Sequence, residues 1–90
     1  MTSKSRNGAR VPAKHLAARV VRSLVGVCDV QVRTVSGTIV GVRVARAPEA
    51  DARRLMRDIS SALLATLGLE LDESEIDIVL AQNGALPGNP

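Results

Sequence analysis

From Val27 to Ala45 apolar and polar residues alternate in two runs broken at Ser36-Gly37, and a chain patterned this way folds as a β-hairpin with one buried face. In residues 27–35, Cys28, Val30 and Val32 fall on one face and Asp29, Gln31 and Arg33 on the other. In residues 38–45, Val40, Val42 and Val44 oppose Arg43. A two-residue loop at Ser36-Gly37 would pair Val32 with Gly41 and Val30 with Arg43, which sends the valines of the two strands to opposite faces. A three-residue loop, Val35-Ser36-Gly37, pairs Val32 with Val40 and Val30 with Val42 and gives Gly37 the left-handed position. That register is the expected one.

On either side of the hairpin the period changes to that of a helix. Pro12 suits a first helical turn, and Leu16, Val20 and Leu24, with Ala17 and Val21 beside them, recur at helical spacing until Gly26; the first helix is expected over about 12–25. Pro48 opens a second, with Glu49 and Asp51 in its first turn. Its stripe is Ala52, Leu55, Met56, Ile59, Leu63 and Leu67, and Gly68 stops it. Residues 76–81 give a third strand, with Ile76, Ile78 and Leu80 opposite Asp77. The order α-β-β-α-β predicts an α+β fold: a single small domain over 12–81 with a three-stranded mixed sheet. Strand order 2-1-3 is expected, strand 3 lying parallel to strand 1 and the second helix packed on the valine face. The first helix is left to cover the remaining core edge or a partner. Residues 1–11 form a basic arm and 82–90 a tail.

Apolar residues make up 46% of the 90, too many for a disordered chain, yet Phe, Tyr and Trp are absent, so the core is built from Val, Leu, Ile, Ala and Met. About 65 to 70 ordered residues lie near the lower limit for independent folding, where a partner's surface helps. One cysteine excludes an internal disulfide, and no apolar run reaches the length of a membrane span or follows a signal-peptide pattern, which points to the cytoplasm. The net charge of +3 is polarised: residues 1–22 carry six bases and no acid, residues 69–90 five acids and no base.

The helix ending in Val25-Gly26-Val27, the hairpin, the Pro-started helix with Leu67-Gly68-Leu69 near its end and the last alternating strand resemble the core of the bacterial alkaline-shock-protein family over roughly residues 15–81. Met56-Arg57-Asp58-Ile59 through Leu67-Gly68-Leu69 is also similar to small uncharacterised bacterial proteins of α-β-β-α-β order. The resemblance implies a non-enzymatic, self-associating role, envelope-associated or regulatory, with no catalytic residues to carry over.

The residues themselves offer little chemistry. His15 stands in the first turn of a helix and reads as solvated. Cys28 falls on the apolar strand face and reads as a small core hydrophobe. Glu70, Asp72, Glu73, Glu75 and Asp77 lack the turn glycine and ligand spacing of a calcium loop and read as a solvated connection. Gly37 and Gly41 belong to a hairpin, not to a phosphate loop, which joins a strand to a helix N-terminus. No catalytic residue, metal or cofactor is expected.

The expected function is a small interaction module that self-associates, most simply as a homodimer, and binds a protein partner. Val35, Ile39, Gly41, Ala45, Val79 and Ala81, on the sheet face away from the second helix, are the candidate interface. The alternative is a nucleic-acid or anionic-surface binder using Lys4, Arg6, Arg10, Lys14, Arg19 and Arg22. No aromatic residue is present there to stack a base.

Overall fold

A computed structural model of the chain describes residues 13–88. The elements follow the expected order: α1 (Ala13–Arg22), β1 (Val27–Val35), β2 (Thr38–Arg46), α2 (Ala52–Leu67), a 3-10 turn (Glu73–Glu75) and β3 (Ile76–Leu80). One mixed sheet carries both helices on a single face. Ala17 and Val21 of α1 and Leu55, Ile59 and Leu63 of α2 join Val30, Val32, Val42, Val44 and Ile76 in one aliphatic cluster. The first helix therefore takes the remaining core edge, and its buried line is Ala17 and Val21; Leu16, Val20 and Leu24 are only half-buried.

The strand order is β1-β2-β3, not 2-1-3, and β3 runs parallel to β2. The reason lies in the outward residues. β2 presents Gly41 and Ala45, small enough for a strand flanked on both sides, and both are buried. β1 presents Asp29, Gln31 and Arg33, whose polar side chains suit an edge. At Gly41 a β-carbon would stand 2.8 Å from the Glu75 carbonyl oxygen and 2.9 Å from Arg33 Nη2, so the bare backbone lets the turn before β3 close in.

The hairpin corrects the expected register. Val35 pairs with Thr38 across a two-residue Ser36-Gly37 loop with φ values of 52° and 81°, and Val32 pairs with Val42 and Val30 with Val44. Two residues in left-handed conformation match the twist of the flanking strands. The register shift between Arg33 and Thr34 then inserts Val40 as a bulge, and the valines return to one face. Ile39, turned inward by that bulge, packs against the core. A second shift between Val27 and Asp29 makes Cys28 a bulge residue; it is exposed, not part of the apolar face.

α2 begins four residues after Pro48, which lies in a turn with Glu49. Asp51 caps the helix, its Oδ1 accepting the N–H groups of Arg53 at 3.0 Å and Arg54 at 3.4 Å. Gly68 ends it with φ 65°, donating to the Leu63 and Leu64 carbonyls. Arg46 Nη1 lies 3.2 Å from the Ala47 carbonyl oxygen, 3.3 Å from that of Pro48 and 3.1 Å from that of Ala50, and so holds the connection into α2.

Candidate functional site

Backbone direction along the sheet defines what each edge offers. The Arg46 carbonyl accepts the Ala81 N–H at 2.9 Å, so Arg46, Val44 and Val42 turn their backbone groups toward β3, and Ala45, Arg43 and Gly41 turn theirs toward β1. Asp29, Gln31 and Arg33 pair back with these, leaving Val30 and Val32 to face the free edge of β1. On β3, Asp77 and Val79 face β2, and Ile76, Ile78 and Leu80 face the other free edge.

The two edges differ. At β1 the Asp29 carboxylate folds over the edge: Oδ1 accepts the outward Val30 N–H at 2.9 Å and lies 3.6 Å from Arg22 Nη2, while Oδ2 accepts the Leu86 N–H at 3.1 Å. The Cys28 bulge adds a further irregularity to this edge. At β3 the Ile76 N–H donates to Glu73, but among the described residues no side chain caps Ile78 or Leu80. Leu80 is 49% exposed.

A groove of about 950 Å³ runs beside the β3 edge. Its helical wall is one face of α2, with Ala52, Met56 and Ser60 next to Arg53, Arg57 and Ser61; its strand wall is Glu73, Ile76, Asp77 and Ile78. A helix joining two adjacent parallel strands runs back along them, so the Arg53 end of α2 lies toward Leu80 and Glu73 lies at the opposite end. Arg53 and Glu73 thus stand toward opposite ends of the groove, with Asp77 between them on the strand wall. Asp77 Oδ2 is 3.4 Å from Arg43 Nε, a contact close enough for ion pairing but not aligned as a hydrogen bond.

Of the candidate interface residues, Ala45 and Val79 lie side by side in register, and Ile39 turns to the opposite face. Ala45 is fully buried, Gly41 is buried and Ile39 belongs to the helix side; Val79 and Ala81 are half-buried, and Val35 is 62% exposed at the hairpin. Residues 82–88, expected as part of the tail, turn through a Gln82–Ala85 bridge and bring Leu86 to Asp29. On α1, Lys14, His15, Arg19 and Arg22 are exposed; Lys4, Arg6 and Arg10 lie outside the described residues. Glu70, Asp72, Glu73 and Asp77 are exposed, and Glu75 Oε1 accepts the Asp72 N–H at 2.8 Å, a local turn closure. Among the described residues no cluster of three or more His, Cys, Asp or Glu could hold a metal ion, and no helix is long and apolar enough to cross a membrane. Sequence reasoning missed the β3 groove because Arg53 and Arg57 lie off the apolar stripe of α2, and their spacing alone does not show which strand edge they stand beside.

The sequence matches no protein-family model and no curated protein. Among solved structures, the crystal structure of the type III secretion system protein EscJ of enteropathogenic E. coli is similar over 90% of this chain and 53% of that one, with 17% identity and a TM-score of 0.46. The chain thus spans about half the length of that protein.

Proposed function

We propose that this chain is a non-catalytic interaction module that associates with a second copy of itself, and with a protein partner, along the free edge of β3. The observation that carries this reading is the contrast between the two sheet edges. Natural sheets blunt the edges that must stay unpaired with bulges, charges and covering groups. β1 has all three in the Cys28 bulge, Asp29 and Arg22, whereas β3 leaves the backbone groups of Ile78 and Leu80 free beside a groove with apolar residues in both walls. Strand addition supplies main-chain hydrogen bonds there, and the groove supplies room for side chains. A domain this small, with no aromatic residue in its core, also gains stability by covering Leu80.

Light scattering coupled to size exclusion, across a range of protein concentrations, tests the reading. A mass above that of one chain supports it, and a monomer throughout overturns self-association. Leu80→Pro removes one outward N–H at a half-exposed edge position, which a monomeric edge strand tolerates. The variant is expected to fold and to lose assembly; assembly equal to wild type would move the interface away from β3.

A further inference from the structure

Resting on that reading of the β3 edge, we infer that the groove between α2 and β3 is one half of a two-fold interface, in which β3 pairs antiparallel with β3 of a second copy about an axis at Ile78. Three independent features meet in this register. The first is backbone direction. Ile76, Ile78 and Leu80 all face the free edge, and a two-fold at Ile78 sets Ile78 opposite its own copy and Ile76 opposite the second copy's Leu80. The N–H and C=O groups of Ile78 and Leu80 and the Ile76 carbonyl point toward their counterparts, as an antiparallel ladder requires, while the Ile76 N–H stays with Glu73 and ends the ladder there.

The second is apolar cover. The same three residues lie on the helix side of the sheet, in line with Val42 and Val44. Pairing them extends the aliphatic layer through the joint and covers Leu80, and the small side chains of Ala52, Ser60 and Ser61 let the second copy's α2 approach. Leu64, 52% exposed, shares a helical stripe with Arg57 and Ser61 and flanks the same approach.

The third is charge. Arg53 and Arg57 stand on the helical wall toward the Leu80 end, and Glu73 at the other end; among the described residues the ion pairs are Arg22–Asp29 and Arg43–Asp77, so none of these three is engaged. Antiparallel pairing reverses the second copy, which brings its Glu73 to Arg53 and Arg57, and the two-fold repeats the contact. A groove basic at one end and acidic at the other is self-complementary in this arrangement.

The closing experiment uses the full chain with Cys28→Ser. Asp77→Cys and Val79→Cys chains, mixed under mild oxidation, are expected to form a mixed disulfide. In this register residue 77 sits opposite residue 79 in a pair without ladder hydrogen bonds, where Cα atoms approach to about 4.5 Å. Neither variant alone places two cysteines opposite each other. Arg53→Glu with Arg57→Glu is expected to raise the dimer dissociation constant roughly a hundredfold. Adding Glu73→Arg chains to those double-variant chains is expected to restore a heterodimer. These three positions are exposed, so circular dichroism should show both proteins folded. A dimeric wild type without the mixed disulfide, whose double variant dimerises undiminished, overturns this register and leaves self-association standing. A monomeric wild type removes both.

Discussion

Asp29 accepts the backbone N–H of Leu86 at 3.1 Å, tying together positions 57 residues apart on the face of the sheet that carries no helix. To reach Asp29 on the far edge strand the chain leaving β3 must pass β2, where Ala45, the pairing partner of Asp29, is fully buried. Asp29→Ala should therefore release the C-terminal segment and expose the Val30 N–H together. We expect a loss of about 1 to 2 kcal/mol in denaturant unfolding, with faster amide exchange at Leu86. Unchanged exchange at Leu86 would show the segment to be held by other contacts.

Stability rests on the line Leu55, Ile59 and Leu63, each at most 2% exposed against the valines. Leu→Ala or Ile→Ala at these positions should cost about 2 to 5 kcal/mol, enough to unfold a domain of this size. Arg54→Ala, on the exposed side of the helix, should stay within about 0.5 kcal/mol of wild type.

Two glycines separate conformational strain from crowding. At Gly37, φ is 81° and a β-carbon would meet nothing within 4 Å, so Gly37→Ala should cost about 1 kcal/mol from the backbone alone. At Gly41 the backbone is ordinary but a β-carbon would stand 2.8 Å from a carbonyl oxygen, so Gly41→Ala should cost about 1 to 3 kcal/mol. Chemical denaturation of both variants checks the ranking, and a neutral Gly41→Ala would mean that the 3-10 turn shifts freely.

Cys28, exposed at its bulge, should react with a thiol reagent in the native protein without denaturant. Cys28→Ser should change stability by less than about 0.5 kcal/mol. Protection until unfolding would show that the first strand runs without its bulge and carries the thiol into the core.

Much was legible from the sequence because it is set by neighbours in the chain. The 3.6-residue stripe of α2, the αL cap at Gly68, the left-handed Gly37 and the alternation of β1 and β2 each follow from which side chains a local conformation tolerates. The helix start was misplaced at Pro48 because Asp51, a stronger cap, follows it. Of the candidate interface residues, Ile39 leaves the outer face because alternation gives faces only while it is unbroken, and the bulge turns it inward.

By itself, then, the sequence determined the element types, their order and an aliphatic core shared by one sheet face and the second helix. Only the tertiary structure decided that β2 is central, that Cys28 and Val40 are bulges, that Leu86 returns to Asp29, and that β3 is the unprotected edge. The reason is physical. A two-residue turn favoured by strand twist and a one-sided burial of valines conflict over strict alternation, and the conflict is resolved by extra residues whose positions depend on both strands at once. Strand order likewise depends on which strand can be flanked on both sides, and that was settled by the contact of Gly41 with Glu75, 34 positions away in the chain.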